Sequence, residues 1–95
     1  MVEMIKFGAE WCGPCRMIKP TVNKLMEKYN TDDSEVKITD VDVDKDAEAA
    51  KKYGVRSIPT MVFLKDGQEV IRKVGVLDEK QIEIAIQEAS IASLN

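Results

Sequence analysis

Only two cysteines occur in this 95-residue chain, and two residues separate them, in the run Glu10-Trp11-Cys12-Gly13-Pro14-Cys15-Arg16. The single tryptophan stands directly before the first. Such a pair closes too small a loop to staple a fold. In a reducing compartment it is chemical rather than structural. At a junction between a strand and a helix, Cys12 meets unpaired backbone N–H groups and the positive end of the helix dipole. Both favour a thiolate there. Pro14 suits a first helical turn, where its missing N–H costs little and its φ already matches. Cys15 falls one turn into the helix, within reach of Cys12 but more shielded. This arrangement performs disulfide exchange: Cys12 attacks a target disulfide, a mixed disulfide forms, and Cys15 resolves it. The short loop makes the second attack intramolecular, so it outruns escape of the target.

Other uses of the two thiols fit less well. A structural zinc site takes four ligands, and two cysteines without a histidine fall short unless two chains share an ion. Haem attachment needs a histidine directly after the second cysteine, where Arg16 stands. Two cysteines buried by chance remain the plain alternative.

The elements that must position these thiols follow from periodicity. Val2 to Phe7 is a short apolar strand in which Lys6 is out of place. Met17, Ile18, Val22, Leu25, Met26 and Tyr29 recur at helical spacing, which predicts a helix from Pro14 to about Tyr29 with a kink at Pro20. Asn30 to Glu35 is a polar turn, and Val36 to Val43 alternates as a strand. Asp46 caps a short helix through Tyr53 that Gly54 ends. Thr60 to Leu64 and Glu69 to Val74 flank Asp66-Gly67, a hairpin signal. Asp78 opens a last helix with Ile82, Ala85, Ile86 and Ala89 on one stripe. Helical crossovers between the first three strands predict parallel pairing among them, and the hairpin adds an antiparallel member. The expected architecture is α/β, a four-stranded mixed sheet flanked by three helices on both faces.

Bulk composition narrows the function. The length suits one domain over residues 1–95, with 44% hydrophobic and 33% charged residues. A net charge of -3 gives no basic face for phosphate, which argues against nucleic acid. No apolar run approaches the length of a membrane span. The first residues carry neither a basic leader nor a long apolar stretch, which favours the cytoplasm. Asp40, Asp42, Asp44 and Asp46 resemble the start of a calcium loop. The sixth position is Lys45 or Ala47 and the twelfth Lys51 or Tyr53, so an EF-hand is rejected. Some of these carboxylates read as a solvated strand end and a helix cap, and Lys51-Lys52 as an exposed face.

The chain resembles the thioredoxin family. The resemblance rests on Trp11-Cys12-Gly13-Pro14-Cys15 after Ala9-Glu10, and on Pro20 five residues past the second cysteine. Tyr53-Gly54-Val55-Arg56-Ser57-Ile58-Pro59-Thr60, Asp66-Gly67 and Val74-Gly75 extend it over nearly the whole chain. It implies the thioredoxin fold and a dithiol–disulfide oxidoreductase that binds no cofactor. Electrons would come from NADPH through a thioredoxin reductase and pass to disulfide-containing proteins, with the chain acting as a monomer. By the same resemblance Cys12 is the nucleophile, Cys15 the resolving thiol, and Ile58-Pro59 a cis peptide. Trp11, Gly13, Pro14, Ile58, Pro59, Val74 and Gly75 would line the substrate groove, with the Ile58 backbone pairing to an extended substrate strand.

Three departures stand out. The family's usual opening strand and helix are absent, which leaves a core layout like that of glutaredoxin. Gly8 stands where a second tryptophan is common, and should leave space near the site or let backbone approach. Lys6 replaces a buried aspartate that manages the proton of the resolving cysteine, while Asp40 stands where that aspartate's lysine partner is usual. Period-2 phase puts Asp40 on one face with Val36 and Ile38. Either Lys6 and Asp40 only neutralise each other, or Lys6, or Asp40 across a water, accepts the proton of Cys15. Two other functions compete with a small thioredoxin. One is a glutathione-coupled, glutaredoxin-like protein, and the other a binding subunit whose thiols are incidental.

Overall fold

In the computed structural model, which describes residues 1–92, the chain runs through β1 (Val2–Gly8), α1 (Gly13–Tyr29), β2 (Val36–Asp42), α2 (Ala47–Lys52), β3 (Thr60–Lys65), β4 (Gln68–Val74) and α3 (Glu79–Ser90). Each boundary agrees with its sequence expectation to within a residue. The caps agree as well. Asp46 accepts the Ala49 N–H at 3.1 Å to start α2, and Asp78 with Gln81 forms a reciprocal capping box at α3. Asp66 and Gly67 take positive φ values of 51° and 85°, which closes the β3–β4 hairpin on two residues. Helix α1 continues through Pro20 as one element.

The sheet order is β2-β1-β3-β4, and here one expectation fails. β1 and β2 pair in parallel, but β3 runs antiparallel to β1, from Phe7 opposite Thr60 to Val2 opposite Lys65. The crossover between β2 and β3 contains a helix, and parallel pairing was expected for that reason. The connection keeps to one end of the sheet instead. Helix α2 has six residues and rises about 9 Å. A strand as long as β2 spans about 23 Å. The helix alone therefore does not return the chain along the length of the sheet. β3 starts beside the end of β1, next to the cysteines, and returns from there.

Two apolar layers cover the sheet. On one face, Ile18, Val22 and Leu25 of α1 and Ile82, Ala85, Ile86 and Ala89 of α3 pack on Val2, Met4, Ile38, Met61 and Phe63. On the other, Phe7, Val62 and Leu64 meet the half-buried Ala49, Ala50 and Tyr53 around α2. Covered on both sides, β1 and β3 read as nearly continuous apolar runs. The outer strand β4 instead carries exposed Glu69, Arg72 and Lys73, which suits an edge.

Helices α1 and α3 are clasped at the surface by Glu83, which accepts from Lys28 at 2.8 Å and from the Tyr29 hydroxyl at 2.5 Å. Hydrogen bonds from Lys28 and then Tyr29 hold the Glu83 carboxyl below its ordinary value of 4.5. A lowered folded value means that this group adds stability above its unfolded value, and that the contribution is lost as pH falls through the folded value. Glu83→Gln should therefore lower stability slightly near neutrality, where the pairing contributes, and flatten the acid limb of a urea-unfolding series below about pH 4.5, where the two proteins converge. In the core, Leu25 is fully buried. Leu25→Ala should lower the unfolding free energy by about 2–5 kcal/mol with the disulfide kept intact.

Candidate functional site

After Gly8, β1 gives way to a short turn in which the Ala9 carbonyl accepts the Cys12 N–H at 3.2 Å. Cys12 is the N-cap of α1, with extended backbone angles. Its Sγ accepts the Cys15 N–H at 3.3 Å, and its carbonyl accepts the Arg16 N–H at 3.1 Å, which closes the first helical turn. The first turn of α1 holds no acidic residue, so no carboxylate there opposes negative charge on sulfur. Cys12 and Cys15 are joined as a disulfide. Cys12 is 7% exposed and Cys15 2%, so the outer sulfur faces the rim while the inner one is shielded.

The facing wall comes from the start of β3. The Ile58-Pro59 peptide bond is cis. The Ile58 carbonyl oxygen lies 3.9 Å from Cys12 Sγ, and Ile58 packs on the small cluster of Ala9, Cys12 and Cys15. Pro59 is fully buried, and its carbonyl accepts the Gly75 N–H at 2.9 Å. Gly75 has φ 100°, a conformation that favours glycine. The Thr60 hydroxyl donates to the Ser57 carbonyl at 2.5 Å and pins the turn from the other side. Val74, opposite Thr60 in the ladder, is exposed, as is Pro14, and Gly13 is half-buried. Trp11 is 67% exposed, with its indole N–H donated to Asp44 at 2.8 Å. The residues expected to line the substrate groove therefore lie at one end of the sheet, with the Asp66-Gly67 turn at the other.

Lys6 and Asp40 are direct neighbours across β1 and β2, on the face covered by α1. Lys6 is 3% exposed, and its Nζ stands 3.2 Å from Asp40 Oδ1. The side chain extends under Gly8. A Cβ on Gly8 would stand 3.0 Å from Lys6 Nζ and 3.2 Å from Cys15 Cβ. Gly8 is thus a gap filled by the end of Lys6, which brings the ammonium beside the inner cysteine. These groups line a cleft of about 420 Å³ together with Arg16, Lys19, Asp42 and Lys45.

Sequence reading did not find two members of this arrangement. Lys19, on the exposed side of α1, comes within 3.9 Å of Asp40 Oδ2. Asp44 is the partner of Trp11, and it belongs to the aspartate run dismissed as a calcium loop. The run divides its work: Asp40 pairs with Lys6, Asp42 accepts the Asp44 N–H at 2.9 Å, Asp44 holds Trp11, and Asp46 caps α2. Trp11 and Asp44 lie 33 positions apart, and no local pattern links them. Among the described residues, no group of three or more His, Cys, Asp or Glu is placed to hold a metal ion.

The thioredoxin family model matches residues 2–88. Thioredoxin 1 of Synechococcus elongatus is 42% identical over 74 residues, which cover 78% of this chain and 66% of the relative. Thioredoxin of Bacillus subtilis is 42% identical over 82 residues, covering 86% and 76%. The X-ray structure of Fasciola hepatica thioredoxin superposes with a TM-score of 0.80 at 42% identity, over 94% of this chain and 81% of that one.

The gap at Gly8 has a measurable consequence. Gly8→Ala should cost about 1–3 kcal/mol, because the added methyl crowds both the Lys6 ammonium and Cys15. In a Lys6→Ala background the same substitution should cost markedly less. A double-mutant cycle by urea unfolding reads that coupling, and strict additivity would show that Lys6 does not occupy the gap.

Proposed function

Because the chain belongs to the thioredoxin family and is thereby a thiol–disulfide oxidoreductase, we propose that it reduces disulfides of protein substrates through Cys12 and Cys15. Cys12 is the attacking group. As a thiolate at the start of α1 it displaces one sulfur of a substrate disulfide, which leaves as a thiolate and takes a proton. The remaining substrate sulfur is then bonded to Cys12. Cys15 loses its proton and attacks Cys12 Sγ, so the internal disulfide forms and the substrate leaves with its second sulfur reduced. Two electrons pass from the dithiol to the substrate. A thioredoxin reductase drawing on NADPH restores the dithiol, in a reducing cytoplasm.

Recognition works mainly through backbone. The Ile58 carbonyl beside Cys12 offers an acceptor to an extended substrate segment, which reads chain shape rather than sequence. Trp11, Gly13, Pro14, Val74 and Gly75 form the rim that such a segment crosses. The observation that supports the reading most directly is the placement of Cys12 Sγ, which caps a helix on one side and stands against the cis Ile58-Pro59 step on the other.

Insulin reduction with dithiothreitol tests the chemistry. The intact chain should accelerate precipitation of the reduced B chain, and Cys12→Ser should abolish the effect. Cys15→Ser should stop turnover and trap mixed disulfides, visible as a mass increase. Replacing dithiothreitol with NADPH and a thioredoxin reductase should sustain the reaction. Turnover with glutathione but not with any reductase would move the chain to a glutathione-coupled role.

A further inference from the structure

Beneath the disulfide, the protein buries a cation where a thiol must lose a proton. Lys6 reaches under Gly8, so that its ammonium and the Cys15 side chain both crowd the point where a Gly8 Cβ would stand. The mechanism above gives no role to this group. A lysine that is 3% exposed must be neutralised, and Asp40 does that at 3.2 Å. Asp40 is not reserved for Lys6, because Lys19 from α1 approaches its other oxygen at 3.9 Å. Two cations therefore share one carboxylate.

The remaining charges facing Cys15 do not cancel that excess. Lys45 pairs with Glu10 at 3.6 Å, and Arg16 donates to the Glu10 carbonyl at 2.8 Å. Asp42 is occupied by the Asp44 N–H. The lining of the cleft thus carries four cations against three carboxylates, in a chain whose net charge is -3. Nearby cations favour thiolate over thiol.

We propose that Lys6 is the electrostatic partner of the resolving thiol: its ammonium stabilises the Cys15 thiolate that attacks the mixed disulfide, and Asp40 sets how much of that charge Cys15 feels. Lys6 keeps its proton throughout. In the resolving step the Cys15 S–H bond breaks and its proton leaves to solvent along the cleft. The Cys15–Cys12 S–S bond forms, and the Cys12–substrate bond breaks with the electron pair going to the substrate sulfur. The proposal rests on the disulfide-exchange reading of the two cysteines, but it is tested without a substrate.

In Cys12→Ser protein, Cys15 is the only thiol, and its titration is followed by thiolate absorbance near 240 nm. Adding Lys6→Met should move the midpoint up by about one pH unit, roughly tenfold less thiolate at a given pH below it. Adding Asp40→Asn instead should move the midpoint down, because the ammonium is then no longer shared. Lys6→Arg should restore most of the intact behaviour. A group that only fills space would shift neither midpoint, or shift both in one direction, and either outcome overturns the proposal. If Lys6→Met does not fold, a midpoint that fails to fall in the Asp40→Asn protein overturns it alone. Loss of insulin reduction by the intact chain would reject the exchange reading instead, and the thiol titration does not depend on that result.

Discussion

β1 is hydrogen-bonded to a strand on each edge and covered by helices on each face, so all it carries is shut off from water except the half-buried Glu3 and Ile5. Apolar side chains meet that constraint without cost, and Val2, Met4 and Phe7 do so. Lys6 cannot. An uncompensated buried charge costs several kcal/mol, and breaking a buried pair costs on the order of 3–5 kcal/mol. The neighbouring strand must therefore present a carboxylate at the same level, and Asp40 is the residue in register. Gly8 follows from the same geometry, since the lysine can extend beneath it only if no side chain is there. Three positions that look unrelated in the chain thus answer to one demand.

A second feature, the path of the chain between β2 and β3, brings the two halves of the site together. The connection through α2 stays at one end of the sheet, and β3 begins at the end of β1 where Cys12 stands. The residues just before β3, Ile58 and Pro59, are thereby set against the disulfide. β4 returns to the same end, and the Gly75 N–H locks onto the Pro59 carbonyl. The Ile58 carbonyl stands 3.9 Å from Cys12 Sγ, and Pro59 is buried. The antiparallel arrangement that periodicity did not foresee is also what completes the site.

The thiol chemistry and the structural chemistry use separate supports. Cys12 depends on local backbone: its own cap, the first turn of α1, and the lack of acidic residues there. Cys15 depends on groups distant in sequence, drawn from β1, β2 and the outer side of α1. The two supports meet only at the disulfide and at the Cys15 N–H that Cys12 Sγ accepts.

Local signals made much of this protein legible. Periodicity located α1, α3 and β2, because burial of one face leaves a repeat in the chain that produces it, while α2 and the β3–β4 pair were marked by their caps and turn. Asp46, Asp78 and Asp66-Gly67 marked caps and a turn whose hydrogen bonds close within a few residues. The Cys12-Gly13-Pro14-Cys15 spacing carried its chemistry on its face, and strand phase put Asp40 on the covered side. Only the assembled fold decided the direction of β3, the partnership of Trp11 with Asp44, the sharing of Asp40 between Lys6 and Lys19, and the filling of the Gly8 gap. All but the last join residues far apart in the chain, and the last depends on how the Lys6 side chain is folded under its own strand. Such contacts are settled by the path of the chain and by which faces are left to cover each other, and neither leaves a repeat in the sequence to read.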